Sequence, residues 1–148
     1  MTETRGARSV VFSVDFSDKQ LRQCLEELGY LRCTKTTRPI PTIPKAMIRH
    51  FLRGYFDGDG SIHKDHRKVN CWRIEIATHA ATTEAVKYLL NMACPLANIR
   101  VYKRNTSERL MIYNAEGVKQ ILEFLYKEAS VTPHSKADRV KSLIGAIL

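Results

Sequence analysis

Two carboxylates, Asp57 and Asp59, alternate with glycines in the run Asp57-Gly58-Asp59-Gly60, directly after a strongly apolar segment. Side chains two residues apart cannot share one face of a helix, so the two acids are expected to do different work. The run does not fit a calcium-binding EF-hand loop. The position that requires glycine is Ile62, and the position of the closing acid is Lys68. His63 and His66 lie nearby, but no further soft ligand follows at a zinc-binding interval, and both fit the polar positions of a strand. The cysteines (Cys24, Cys33, Cys71, Cys94) are far apart and form no CxxC pair, so they read as reduced thiols of an intracellular, non-secreted protein. Taken alone, Asp57–Gly60 also fits an ordinary turn that closes an amphipathic helix.

That helix must deliver the acids. Met47, Ile48, Phe51, Leu52, Tyr55 and Phe56 recur at helical spacing after Pro44, a residue suited to a first turn, and the glycines are expected to end the helix within 57–60. Gly54 and Gly58 sit four apart on one face, where two such helices could approach backbone to backbone. Strands are expected near 61–67 and 71–77, a helix near 82–94, strands near 98–104 and 108–113, and helices near 115–128 and 136–147. Helix-strand-strand therefore occurs twice. The expected fold class is α+β, an αββαββα layer with a four-stranded antiparallel sheet backed on one face by helices. Before it, residues 1–43 read as an N-terminal extension and connector to a main domain at 44–148. Val10, Val11, Phe12, Val14 and Phe16 suggest a strand. Ser17 opens a helix at capping-box distance from Gln20, Leu21, Cys24, Leu25 and Leu28 form its stripe, and Gly29 ends it. Pro39 and Pro41 mark the connector.

The 148 residues carry 24 Lys and Arg against 15 Asp and Glu, a net charge of +9, which points to a polyanionic partner. The 44% hydrophobic content marks a globular chain, no apolar run is long enough for a membrane span, and no signal-peptide segment opens the sequence. Basic residues cluster: Arg32, Lys35, Arg38, Lys45, Arg49 and Arg53 meet no acid between Leu28 and Phe56. Arg100, Lys103, Arg104 and Arg109 have only Glu108 among them.

The run Leu52-Arg53-Gly54-Tyr55-Phe56-Asp57-Gly58-Asp59-Gly60 resembles the nine-residue signature of the LAGLIDADG family, matching its first Leu, first Gly, both acids and final Gly. With its flanks, Ile48 to Ile62, it looks like the dodecapeptide-type form of intein and intron endonucleases. The element order after Pro44 is similar to the family's, and residues 10–43, with Leu28-Gly29 and Lys35-Thr36, resemble the segment before the second motif of two-motif relatives. The resemblance implies a homing endonuclease that hydrolyses double-stranded DNA at a specific site with Mg²⁺. It makes Asp59 the metal ligand, Gly58 a backbone-carbonyl ligand, and Asp57 a local hydrogen-bonding group at the helix end. It also implies a solvent-polarising lysine in the tail, for which Lys136 is the candidate, and a polar pocket residue after the second strand, Thr78 or His79. Arg53 departs from the usual small second residue. One motif instead of two implies a homodimer on a roughly palindromic target, half of a heterodimer, or a remnant of a longer enzyme. A non-cleaving intron maturase or DNA-binding regulator on the same scaffold is the alternative.

Strand alternation then separates a core face from an outer one. Ile62, Ile74, Ile76, Ile99, Val101, Leu110 and Ile112 are expected to pack under the helices. His63, Asp65, Arg67, Arg73, Glu75, Arg100, Tyr102, Arg104, Arg109, Met111 and Tyr113 are expected to face outward and contact DNA. Arginine suits guanine in the major groove, and Glu75 could accept from cytosine.

Overall fold

A computed structural model describes residues 17–27, 40, 42–65, 71–104, 107–129, 136, 140 and 143, with backbone only at Asp65 and Arg104. The chain falls into two compact units, Met1–Arg32 and Cys33–Leu148. The expected strand at 10–16, Gly29, Pro39, Pro41, Lys35, His66 and Arg67 lie outside the described residues, as do the side chains of Asp65 and Arg104. In the first unit, helix α1 spans Lys19–Glu27. Its start differs from the expected Ser17 cap: the backbone N–H of Leu21 donates to Asp18 Oδ1 at 2.7 Å. A carboxylate acceptor one residue later satisfies the orphan amide of the first turn.

In the second unit, a 3₁₀ turn at Lys45–Met47 leads into α2, Ile48–Asp59. There follow β1 (Gly60–Asp65), β2 (Cys71–His79), α3 (Ala80–Ala93), β3 (Ile99–Arg104), β4 (Ser107–Ile112) and α4 (Ala115–Tyr126). Residues 136, 140 and 143 are helical, and Val140 and Leu143 reach the core. The four strands form one sheet in the order β1-β2-β4-β3, antiparallel throughout, so two hairpins meet along β2 and β4. The expected αββαββα layer is present.

The register explains why the helices cover one face. Ile62, Ile74, Ile112 and Ile99 stand opposite one another across all four strands, and Ile76, Leu110 and Val101 form the next row. Leu52 and Phe56 of α2, Val86 and Leu90 of α3, and Val118, Ile121, Leu122 and Leu125 of α4 join those rows in one core. Ile48, Leu52 and Phe56, each four residues apart, give α2 a narrow buried stripe.

Two boundaries move for identifiable reasons. Strand β2 runs two residues beyond 77, because Thr78 Oγ1 donates to the Glu108 carbonyl at 3.1 Å and sits 2.8 Å from Thr83 Oγ1. Helix α3 then begins at Ala80. His79 Nδ1 accepts the Ala81 N–H at 3.2 Å, while its carbonyl accepts the hydroxyls of Thr82 and Thr83, each at 3.0 Å. At the other junction, α2 runs through Gly58 and ends at Asp59 with Gly60 as its C-cap, inside the expected 57–60 run.

Gly60 ends that helix by close approach, not by an unusual backbone angle. Its φ of −94° and ψ of 156° suit any residue. A Cβ there would lie 2.2 Å from Phe56 Cδ2 and 2.6 Å from the Phe56 carbonyl oxygen. Phe56 is fully packed, so neither ring nor backbone can give way cheaply. Gly60→Ala is expected to lower stability by about 1–3 kcal/mol in urea unfolding. A midpoint equal to that of the wild-type chain would mean that the α2–β1 junction has more freedom than this packing allows.

Candidate functional site

The last turn of α2 is held from two sides. Tyr126 of α4 is buried with its ring edge-on to Phe56 at 6.2 Å, and its hydroxyl donates to Asp57 Oδ1. Burial first, and the Asp57 contact second, push the Tyr126 phenol well above its ordinary range, so it remains a donor. Lys136 closes the other side. Its ammonium donates to the carbonyls of Phe56 and Asp57, the latter at 2.8 Å, and lies 4.8 Å from the Phe56 ring centroid. The C-terminal end of a helix carries unpaired carbonyls and partial negative charge, which a cation relieves. Burial lowers the Lys136 pKa, while the charges of Asp57 and Asp59 oppose that shift.

The two acids differ in their surroundings. Asp57 is half-buried, and its bond goes to a helix 69 residues on; the expected local hydrogen bond at the helix end gives way to this distant one. Tyr126 was missed as its partner, since nothing local to the motif specifies it. Asp59 is exposed and accepts no hydrogen bond among the described residues. Among those residues no three His, Cys, Asp or Glu side chains converge on one point; at the α2 terminus the donors that could hold a cation are Asp59 and backbone carbonyls. That donor set is sparse but chemically apt: a free carboxylate and the Gly58 carbonyl at the negative end of a helix suit a hard, partly hydrated cation.

Gly54 and Gly58 lie on the side of α2 away from its buried stripe. With His50 they form an exposed line at four-residue spacing, and a Cβ on either glycine would meet nothing within 4 Å. Tyr55, beside them, is half-buried and hydrogen-bonds Thr82 of α3; desolvation raises its phenol pKa.

Both pocket candidates after the second strand are occupied in building the fold. Thr78 is buried with its hydroxyl satisfied by Thr83 and Glu108, which corrects its expected place in a pocket. His79 is the N-cap of α3. Neither sits with Asp57, Asp59 and Lys136 in the contacts around the α2 terminus.

The outer face of the sheet carries His63, Arg73, Glu75, Arg100, Tyr102, Arg109 and Met111 at the alternate register positions, and Tyr113 just beyond β4. Two of these differ from a free reading surface. Glu75 is 14% exposed and already paired with Arg109, and it lies 4.0 Å from His63 Nε2, which in turn meets Ser61 Oγ at 2.8 Å. Met111, expected to contact DNA, is only 8% exposed. It lies on a central strand between Glu75 and Arg100, and Tyr102 and Tyr113 approach each other across it. Arg100 makes no hydrogen bond or ion pair among the described residues and is exposed.

Among the described residues no helix is long and apolar enough to cross a membrane. The family model of a LAGLIDADG-like domain matches residues 46–125, more than half of the chain. The solved structure of the group I intron-encoded homing endonuclease I-CeuI complexed with DNA is similar at 18% identity and a TM-score of 0.55, over 86% of this chain and 65% of that one. The meganuclease I-SmaMI bound to uncleaveable DNA is similar at 18% identity and a TM-score of 0.52, over 86% of this chain and 43% of that one. The chain thus spans less than two thirds of either neighbour's length, and at these identities the likeness is one of fold. Comparison with curated proteins gives no match. The acid-bearing motif helix, the two hairpins it feeds and the match over 46–125 agree: the chain belongs to the LAGLIDADG family.

Proposed function

We propose that this protein is a site-specific double-strand DNA endonuclease that works with Mg²⁺ as a homodimer. The observation that carries this reading is the carboxylate of Asp59, exposed at the end of a helix whose exposed line, begun by His50, continues through Gly54 and Gly58, which present no side chain. Two copies joined along that face would bring their Asp59 side chains together, one for each DNA strand. Asp59 and the Gly58 carbonyl would hold the ion. Bound there, a divalent cation supplies charge stabilisation at the phosphate and favours ionisation of water. Lys136, in electrostatic range of both acids, holds the α2 terminus in place and presents a positive charge beside it. Tyr126 fixes the turn through Asp57. The arginine-bearing sheet face would lie in the major groove, which admits a two-stranded β-ribbon; both similar structures are complexes with DNA.

The test is direct. Purified protein is incubated with Mg²⁺ and a plasmid library of flanking genomic DNA, and the cut ends are sequenced. A single recurrent, roughly palindromic site cut on both strands is the expected result. Tight sequence-selective binding without cutting, at any divalent ion tried, would replace this reading with a maturase or regulator on the same scaffold.

A further inference from the structure

At the β3 edge, the arginine-rich outer face carries an apolar island. Tyr102 and Tyr113 meet edge to face, with centroids 6.5 Å apart and planes at 78°. Arg100 and Met111 stand opposite each other between the two tyrosine positions, so the rings lean together across that pair. Met111 is only 8% exposed, while Tyr102 remains 45% and Tyr113 40% exposed. The two rings meet edge to face and both stay part-exposed, so ring surface is left for a ligand. Beside them opens a hollow of about 440 Å³ lined by Asn98, Arg100, Tyr102, Tyr113 and Asn114. The Asn114 amide is already engaged, accepting the Asn98 N–H at 3.0 Å and donating to the Leu96 carbonyl at 2.8 Å. Aromatic surface, the Arg100 guanidinium and the Asn98 side chain are what the hollow offers.

A surface that only gripped phosphates would gain nothing from exposed rings at this point. On the base edges of an unmodified duplex, the one apolar group in the major groove is the thymine 5-methyl, and the bidentate partner of a guanidinium is guanine O6 and N7. We propose that Tyr102 and Tyr113 form a thymine-methyl subsite and that Arg100 beside them reads an adjoining guanine. This rests on the sheet being the DNA surface, and it names the base step that this part of the surface selects.

The test uses the full chain and a random duplex library, selected for binding in EDTA so that cutting does not intervene. The recovered half-site is expected to hold a thymine next to a guanine. Replacing that thymine by deoxyuridine should weaken binding about fourfold, the equivalent of one methyl group returned to water. Tyr102→Ala should bind the thymine and uracil duplexes alike. Tyr102→Phe, which keeps the ring, should retain the preference. Equal binding of thymine and uracil duplexes by the wild-type chain would overturn the subsite and leave DNA recognition standing, as would a Tyr102→Ala variant that still discriminates. Enrichment of no duplex at all would remove both the subsite and the reading of the sheet on which it rests.

Discussion

Asp59→Asn is expected to abolish cleavage, a loss on the order of a thousandfold or more, while DNA affinity stays within a few fold. The reasoning begins from surroundings. Asp59 is exposed and accepts no hydrogen bond among the described residues, so the near-isosteric amide breaks no contact that holds the fold. Stability should therefore change by no more than about 0.5 kcal/mol. Affinity should survive, because the proposed phosphate and base contacts lie on the sheet and its flanks. What would disappear is the negative charge proposed to fix the ion, and an ion that stabilises the developing phosphate charge lowers the barrier by several kcal/mol, each 1.4 or so worth tenfold in rate. Asp57→Asn is the informative control. An amide oxygen still accepts from the Tyr126 hydroxyl, so its cost in rate should be much smaller. Cleavage by Asp59→Asn at the wild-type rate would take Asp59 out of the chemistry. Equal losses from both variants would mean the two acids act as one site.

That these acids would have different surroundings was legible in the sequence, but only half of the reason was. Spacing alone says that Asp57 and Asp59 point apart, and the family signature assigns the second to metal. The sheet was equally legible: alternation placed the seven core aliphatics, and the cross-strand isoleucine row follows from it. What the sequence did not carry were contacts between residues far apart in the chain. Tyr126 reaches Asp57 across 69 positions, and no periodicity encodes that. Thr78 looked like a polar residue free for a pocket; it is consumed by Thr83 and Glu108, which only the sheet register brings near. Met111 obeyed the alternation and still lost its exposure, because parity fixes a face and not what neighbouring tyrosines cover. Gly60 was read as a conformational stop and is a steric one, a difference that depends on where the Phe56 ring packs.

Gly54→Leu is expected to convert a dimer into monomers without unfolding either one. In the isolated chain the substitution meets no obstacle, since a Cβ at Gly54 has nothing within 4 Å and the position is exposed. Replacing a mid-helix glycine by leucine should even stabilise α2 on its own, by up to about 1 kcal/mol from helix propensity. The opposite effect on assembly is the diagnostic. Close packing of two helices through a glycine-bearing face depends on the absence of side chains at successive turns, and a leucine there would force the axes apart and separate the two Asp59 carboxylates. Cleavage should fall with dimerisation, while thermal unfolding of the separated chains shows a melting point no lower than that of wild-type monomer. Sedimentation at micromolar concentration, with and without a target duplex, reads the first effect. The wild-type chain should run as a dimer when DNA is present and Gly54→Leu as a monomer. A wild-type monomer under both conditions would rule out the homodimer. A Gly54→Leu dimer that still cuts would keep the homodimer and move its interface off this face of α2.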